Sequence, residues 1–260
     1  MNLSKYQIFS SSSLKLIALI TMIIDHIGFL LFPQIRLFRI IGRISFPLYA
    51  FLIGEGCIHT KNKAKYLLKV FLTFIAYEIV TTVIHKKISL CVLFGFTLFI
   101  VFTIIMDWAK KNWHKRYLIP ELFAILSCII IFVLDPSYTV FTFILPLIVY
   151  LNKNNKSKMI IFFLFSLILM SVMYGGRQPY GIIAIMPIIL YNGKKGKINL
   201  KNFFYIIYPL HYLILGIIQY FIKWKLNSMQ KCIEFFYISH TYFIKTKRRT
   251  NVWKKYWQLY

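Results

Sequence analysis

Acidic residues are scarce in this chain: Asp and Glu contribute 7 of its 260 residues, whereas Lys and Arg contribute 32. Three common site motifs are missing as well, namely Walker A, Gly-x-Gly-x-x-Gly and Gly-x-Ser-x-Gly. Neither a phosphate-binding glycine loop nor a serine nucleophile elbow is therefore indicated. The 4 cysteines have no metal-ligand spacing, so we expect neither a disulfide framework nor a metal site.

No segment of soluble-domain length interrupts the apolar runs, and 59% of the residues are hydrophobic. Blocks rich in Phe, Ile and Leu alternate with short Lys-rich connectors, which is typical of a multi-span helical membrane protein. A transmembrane barrel would instead need alternating segments of about 10 residues. The apolar segments are 14–32, 41–58, 66–84, 88–106, 117–134, 137–151, 158–174, 180–192 and 203–222.

The pattern predicts an all-α, polytopic transmembrane helix bundle with about 8–10 spans. Segments 137–151 and 180–192 are short for a hydrocarbon core of ~30 Å. We predict one integral membrane domain over residues 1–222, followed by a basic, aromatic C-terminal tail at 223–260.

Much of the net charge of +25 comes from the connectors between the apolar runs, and the rest comes mainly from the basic tail. Lys and Arg are concentrated in the N-terminal stretch and in every second connector, and the positive-inside rule places both in the cytoplasm. We therefore expect a plasma membrane protein with a cytoplasmic N-terminus. Its basic connectors would face the anionic headgroups of the lipid bilayer, and no nucleic-acid partner is expected.

Asp25 and His26 interrupt the first apolar run, where an Asp costs at least ~2.5 kcal/mol. Lys15 lies eleven residues before His26. That spacing is about three helical turns, so both lie on one face, roughly 16 Å apart along the axis. We predict that His26 acts as a general base, and that Asp25 orients it or contacts another helix. The alternative is an interhelical hydrogen bond without catalysis.

Other polar residues lie close to or within the apolar runs. Arg39 and Arg43 share a helix face. They would either line a polar pocket facing the first helix or anchor the helix by snorkelling. Four further candidates for a polar site, at mid-membrane or at its inner edge, are Glu55, His59, Glu78 and His211. Glu78 and His211 have the alternative of a packing or helix-pairing role.

Three segments carry a family resemblance. They are SLKLIALITMIIDHIGFLLFP, LFRIIGRISFPLYAFLIGEGCIHTKNKAKYL and FFYIIYPLHYLILGII, in this order. Over about residues 13–222 the chain resembles the TraX family, which is named for a conjugation protein implicated in N-terminal acetylation of F pilin. The resemblance implies an integral acetyltransferase of the bacterial plasma (inner) membrane that uses acetyl-CoA, without a metal. Its acceptor would be a pilin-like N-terminal amine or a cell-envelope polymer.

TraX proteins are distantly similar to the acyltransferase-3 type of membrane enzymes, whose first helix carries a basic residue, ten residues and a histidine. Lys15 and His26 have this spacing. The similarity implies that His26 is catalytic, with Asp25 beside it, and that Lys15 organises the donor. Arg39 and Arg43 match the family pattern R..GR and would contact the donor's phosphates.

Two rival functions remain open. One is a proton-coupled membrane transporter that uses Asp25, His26 and Glu78 as a relay. The other is a non-catalytic assembly factor for pilus subunits.

Overall fold

The computed structural model describes residues 7–87, 90–112, 118–134, 140–196 and 202–257. Side chains are described as far as residue 230, apart from residue 112. Most of the predicted tail therefore lies outside the described side chains. The α-helices are α1 Ser11–Leu30, α2 Arg36–Gly42, α3 Ser45–His59, α4 Lys63–His85, α5 Val92–Asn112, α6 Leu118–Leu134, α7 Phe141–Leu151, α8 Lys156–Tyr174, α9 Ile185–Ile189 and α10 Phe203–Trp257, and a 3₁₀ helix Gln178–Ala184 precedes α9.

Six helical stretches of the described residues are long and apolar enough to cross a membrane: Ser11–Leu30, Arg36–His59, Lys63–His85, Val92–Lys111, Lys156–Tyr174 and Phe203–Gln230. Three shorter apolar helices are Leu118–Leu134, Phe141–Leu151 and Gln178–Ile189. Together they correspond to the nine apolar segments of the sequence. The prediction of an all-α, polytopic bundle is confirmed, and the protein is a multi-pass membrane protein. The predicted number of spans stays a prediction.

Polar residues define where several helices begin. The side chains of Ser10, Asn62 and Asn155 each accept a hydrogen bond from the backbone N–H three residues later. Each cap satisfies one of the four N–H groups that a helix start leaves without a partner. Pro47 lies in the first turn of α3, where its missing N–H costs nothing.

Aromatic side chains fill the centre of the bundle. Phe51, Phe99, Phe143 and Phe163 are almost completely buried. Several threonine and serine hydroxyls bond within their own helices: Thr21, for example, donates to the carbonyl oxygen of Ile17 at 2.8 Å. Apolar surroundings offer no water, so such local bonds satisfy the hydroxyls at little cost. Other hydroxyls that bond in this way belong to Thr73, Thr81, Thr97 and Ser171.

The chain divides into two compact units, residues 1–215 and 216–260. All the candidate site residues belong to the first unit. In that unit α1 packs against α2 and α3, and α3 packs against α7. The predicted domain boundary after residue 222 stays a prediction.

A glycine permits the close packing of α3 against α7. A Cβ on Gly54 would lie 2.7 Å from Val149 Cβ and 2.9 Å from the backbone oxygen of Pro146. Because a backbone carbonyl cannot move aside cheaply, we expect Gly54→Ala to destabilise the fold by about 1–3 kcal/mol. Thermal unfolding in detergent, followed by size-exclusion chromatography, measures the loss.

Gly56→Ala is the matched control for this change. Its Cβ would meet the hydroxyl end of Tyr66 at 2.6 Å, which is the far end of a long side chain that can shift. We expect the smaller loss of stability there. A wild-type melting temperature for Gly54→Ala would show that the contact between α3 and α7 can relax.

Candidate functional site

A pair of hydrogen-bonded histidines joins α1 to α10. His26 Nδ1 lies 2.7 Å from His211 Nε2, and the two ring centroids are 4.9 Å apart. His211 is buried, and its Nδ1 lies 2.9 Å from the carbonyl oxygen of Ile207, one turn earlier in α10. The two residues are 185 positions apart in the chain, so only the tertiary fold brings them together.

These contacts define the proton positions of the neutral pair. A carbonyl oxygen can only accept, so His211 Nδ1 carries a proton and donates it to Ile207. Nε2 of His211 is then an acceptor, and His26 Nδ1–H donates to it. It follows that Nε2 of His26 has a lone pair and no proton. An imidazole held in this tautomer by a hydrogen-bonded partner has the arrangement of a general base.

Tyrosines surround the His26 ring. The Tyr212 ring stands edge-on to it with centroids 5.0 Å apart, and the Tyr77 ring lies at 6.5 Å. The Tyr212 hydroxyl lies 2.6 Å from His85 Nε2 at the end of α4. His26 itself is half-buried. Sequence reasoning missed these tyrosines, since nothing distinguishes them from packing residues in an apolar run.

Asp25 does not contact the imidazole through its carboxylate but binds α2. Arg39 Nη1 donates to Asp25 Oδ2, and Arg43 Nη2 lies 3.3 Å from Asp25 Oδ1. All three side chains are largely buried, with exposed fractions of 13% for Asp25, 18% for Arg39 and 12% for Arg43. A Cβ on Gly42 would collide with the carboxyl group, so this glycine permits the ion pairs. Two guanidinium groups against one carboxylate leave an excess of positive charge next to His26.

The face of α1 that carries both Lys15 and His26 is called the polar stripe here, and Lys15 lies at the end of it near the start of the helix. Between it and His26 the same side of α1 carries Ala18 and Met22, which are buried in the core. The stripe therefore faces the protein interior rather than lipid. Lys15 is half-buried and lies near the start of α1.

Glu55 and His59 form a separate cluster. His59 Nε2 lies 3.3 Å from Glu55 Oε2, and the Tyr191 hydroxyl donates to the same oxygen at 3.1 Å. Burial, and next the Glu55 carboxylate, raise the pKa of Tyr191, so the phenol keeps the proton that it donates. Lys156 Nζ donates to the carbonyl oxygens of Ile189 and Tyr191. The cluster thus ties α3 and α8 to the loop after α9.

Glu78 is not brought to the histidine pair. Its Oε1 accepts a hydrogen bond of 2.8 Å from the backbone N–H of Cys91, just before α5 begins. Tyr77, the preceding residue, faces His26, and successive residues point about 100° apart on a helix. The contact joins α4 to the start of α5. Among the described residues, no group of three or more His, Cys, Asp or Glu side chains is placed to hold a metal ion.

An open, mainly apolar groove of about 710 Å³ lies between α4 and α10. Lys69 and Asn202 lie at one end and hydrogen-bond each other at 2.9 Å. Leu210 and Leu213 of α10 line the groove, whereas His211 and Tyr212 between them are buried on the side of His26. This stretch of α10 therefore separates the groove from the histidine pair.

Comparison with known proteins matches a family model described as TraX protein to residues 10–219. A protein of Rickettsia prowazekii (strain Madrid E), named Uncharacterized protein RP591, is 36% identical over 74 residues, 28% of each chain. A probable fimbrial assembly protein FimC, serogroup H1, of Dichelobacter nodosus is 38% identical over 63 residues, 23% of this chain and 26% of that one. The chain thus covers little more than a quarter of these relatives. No solved structure gives a significant match.

Proposed function

Since the chain belongs to the TraX family, we propose that it is an acetyltransferase of the bacterial inner membrane. It takes the acetyl group from acetyl-CoA and transfers it to a pilin-like N-terminal amine or to an envelope polymer. The local similarity to a protein named for fimbrial assembly supports the pilus-related acceptor. The basic connectors support a cytoplasmic N-terminus.

The observation that carries the proposal is the chain of hydrogen bonds from His26 through His211 to the Ile207 carbonyl. A histidine that only paired two helices would need one hydrogen bond. Here both ring nitrogens of His211 form hydrogen bonds, and Nε2 of His26 is the nitrogen that can accept a proton. Fixing the tautomer of a base through a second group is a recurrent feature of acyl-transfer enzymes.

In the proposed reaction His26 Nε2 removes a proton from the attacking amine or hydroxyl of the acceptor. The nucleophile forms a bond to the thioester carbonyl carbon, the C–S bond breaks, and the proton passes from His26 to the departing thiolate. The positive charge of Arg39 and Arg43, next to His26, would stabilise the negative charge that develops on the carbonyl oxygen of the thioester. Asp25 holds the two arginines and is thereby a positioning residue, while Lys15 binds the donor.

The rival permease requires a relay of Asp25, His26 and Glu78. The Asp25 carboxylate binds two arginines, and the Glu78 carboxylate binds the backbone N–H of Cys91. Two of the three residues of this relay are therefore bound to groups outside it. We therefore favour acyl transfer.

The test is transfer from labelled acetyl-CoA by the protein in nanodiscs, with two substitutions of His211. His211→Leu removes the acceptor for His26 Nδ1–H, and we expect kcat to fall by about 10- to 100-fold with little change in KM, as for one lost orienting hydrogen bond. His211→Gln offers an amide oxygen as acceptor and should recover part of the rate. Absence of any acetyl-CoA binding or hydrolysis by the wild-type protein would instead favour the permease.

A purely structural role of His211 has a different signature. Both variants would then lose folded protein, and the remaining fraction would turn over at the wild-type rate with an unchanged pH profile. Active-site titration of the folded fraction separates the two cases.

A further inference from the structure

The loop after α9 is bound to the start of α1 by backbone hydrogen bonds. The N–H groups of Ser11 and Ser12 donate to the carbonyl oxygens of Lys194 and Lys195 at 2.8 Å and 3.1 Å. The Ser12 hydroxyl donates to the Lys195 carbonyl as well, at 2.7 Å. The position of this loop on α1 is thus determined by several bonds and not by a single surface contact.

Glycines allow the loop to lie so close. Gly193 and Gly196 adopt φ of 72° and 88°, a left-handed region that other residues rarely adopt. A Cβ on Gly196 would collide with the Ser10 hydroxyl. Two bonds between Phe9 and the chain around Tyr191 continue the attachment, since Phe9 N–H donates to Leu190 and Asn192 N–H donates to Phe9.

The first amide groups of α1 are satisfied by this attachment. Ser11 and Ser12 donate to the loop, and Ser13 N–H donates to Ser10 Oγ. An anion at this place would therefore be bound by side chains and not by the helix start. The available side chains are lysines, because Lys194 and Lys195 are exposed.

Lys15 lies on the same side of α1 as the attached loop. It follows Ser12 by three residues and Ser11 by four, and residues at these spacings are neighbours on a helix surface. Three lysines are consequently grouped within about one turn of the start of α1. Lys15 is also the residue from which the polar stripe leads to His26.

Beyond the donor-binding role already proposed for Lys15, we propose that Lys194 and Lys195 join it in binding the phosphate groups of the acyl donor, an inference that rests on the proposed acyltransferase function. Ammonium groups on flexible stems suit the several phosphates of a nucleotide, each a strong hydrogen-bond acceptor. The distance of roughly 16 Å along α1 to His26 separates the anionic end of the donor from its thioester. A lipid headgroup carries the same phosphate chemistry, so the experiment must distinguish the two.

The experiment compares Lys194→Gln/Lys195→Gln with Lys86→Gln/Lys87→Gln, a matched pair of adjacent exposed lysines at the end of α4. Neither change removes a backbone hydrogen bond of the loop. In nanodiscs of phosphatidylcholine, the first variant should raise KM for acetyl-CoA at least about tenfold, as expected for lost charged hydrogen bonds. Its kcat, and its KM for S-acetylpantetheine, which lacks the nucleotide, should stay at the wild-type values. The control pair should change neither constant.

An unchanged KM for acetyl-CoA in the Lys194/Lys195 variant would overturn the inference while leaving the proposed function intact. If the wild-type protein transfers acetyl from neither donor, the proposed function fails. In that case the affinity for adenosine 3′,5′-bisphosphate is compared between the wild type and the Lys194/Lys195 variant. Weaker binding by the variant supports the inference, and equal affinity refutes it. Phosphatidylglycerol added to the nanodiscs tests the lipid. If it abolishes nucleotide binding, or if the variant loses only co-purified phosphatidylglycerol, these lysines bind lipid headgroups instead.

Discussion

Glutamine in place of His26 lowers kcat for acetyl transfer by about 100- to 10,000-fold, the usual contribution of a general base. The amide of glutamine can still donate a hydrogen bond to His211 Nε2, so α1 and α10 stay connected. It has no lone pair comparable to that of Nε2, so the proton of the acceptor is not removed. Single-turnover transfer from labelled acetyl-CoA, with the folded fraction measured by size-exclusion chromatography, gives the rate per folded molecule.

His59→Gln is the matched histidine control, in the cluster with Glu55. Because His59 is 67% exposed and the proposed reaction gives it no part, we expect nearly wild-type turnover. A His26→Gln variant that remained fully active would end the assignment of the base. An equally inactive His59→Gln variant would shift attention to the Glu55 cluster.

Replacing Asp25 by alanine is expected to have the largest effect on stability. The carboxylate is the shared partner of Arg39 and Arg43, and its removal leaves two largely buried cations without this compensation. Breaking a buried ion pair in this way costs about 3–5 kcal/mol. We expect a strong loss of folded protein after extraction, measured as the monodisperse fraction at equal expression and as the melting temperature.

Two further variants separate the effect of buried charge from that of packing. Asp107→Ala breaks another ion pair, with Lys63 at 2.6 Å, in which the aspartate is 51% and the lysine 12% exposed. Lys63 keeps its hydrogen bonds to the Thr103 carbonyl and the Tyr150 hydroxyl, so we expect a cost of about 1 kcal/mol or less. Adding Arg39→Met and Arg43→Met to Asp25→Ala removes the uncompensated charges and should restore much of the stability. A triple variant as unstable as Asp25→Ala would show that packing around Gly42, and not charge, is decisive.

The helices could be predicted from the sequence because hydropathy and local start signals are properties of short segments. The nine apolar runs became helices, and the close relation of Arg39 and Arg43 followed from their spacing of four residues. The face shared by Lys15 and His26 is a consequence of helix periodicity alone. Such local regularities need no knowledge of which helices are neighbours.

The partners of the polar side chains could not be predicted in this way. Asp25 was expected to assist His26 or to reach another helix, and only packing selects Arg39 and Arg43. Glu78 and His211 both lie inside apolar runs, so their sequence settings are similar. Glu78 nevertheless binds the start of α5, whereas His211 binds His26. The exposed His85, at the end of α4, hydrogen-bonds Tyr212 of α10. These contacts join residues far apart in the chain, for which a single sequence contains no signal.

Helix α1 is bound to its neighbours near both ends, which limits how it can move. Near its start the helix is bonded to the loop around Lys195, and near its end Asp25 binds α2. Both attachments oppose sliding of α1 along its axis, so we expect entry of substrate to displace another helix instead. Pro209 lies inside α10, two residues before His211, and interrupts the hydrogen-bond ladder there. We therefore expect His211 on α10 to move when substrate enters, while His26 on α1 stays in place.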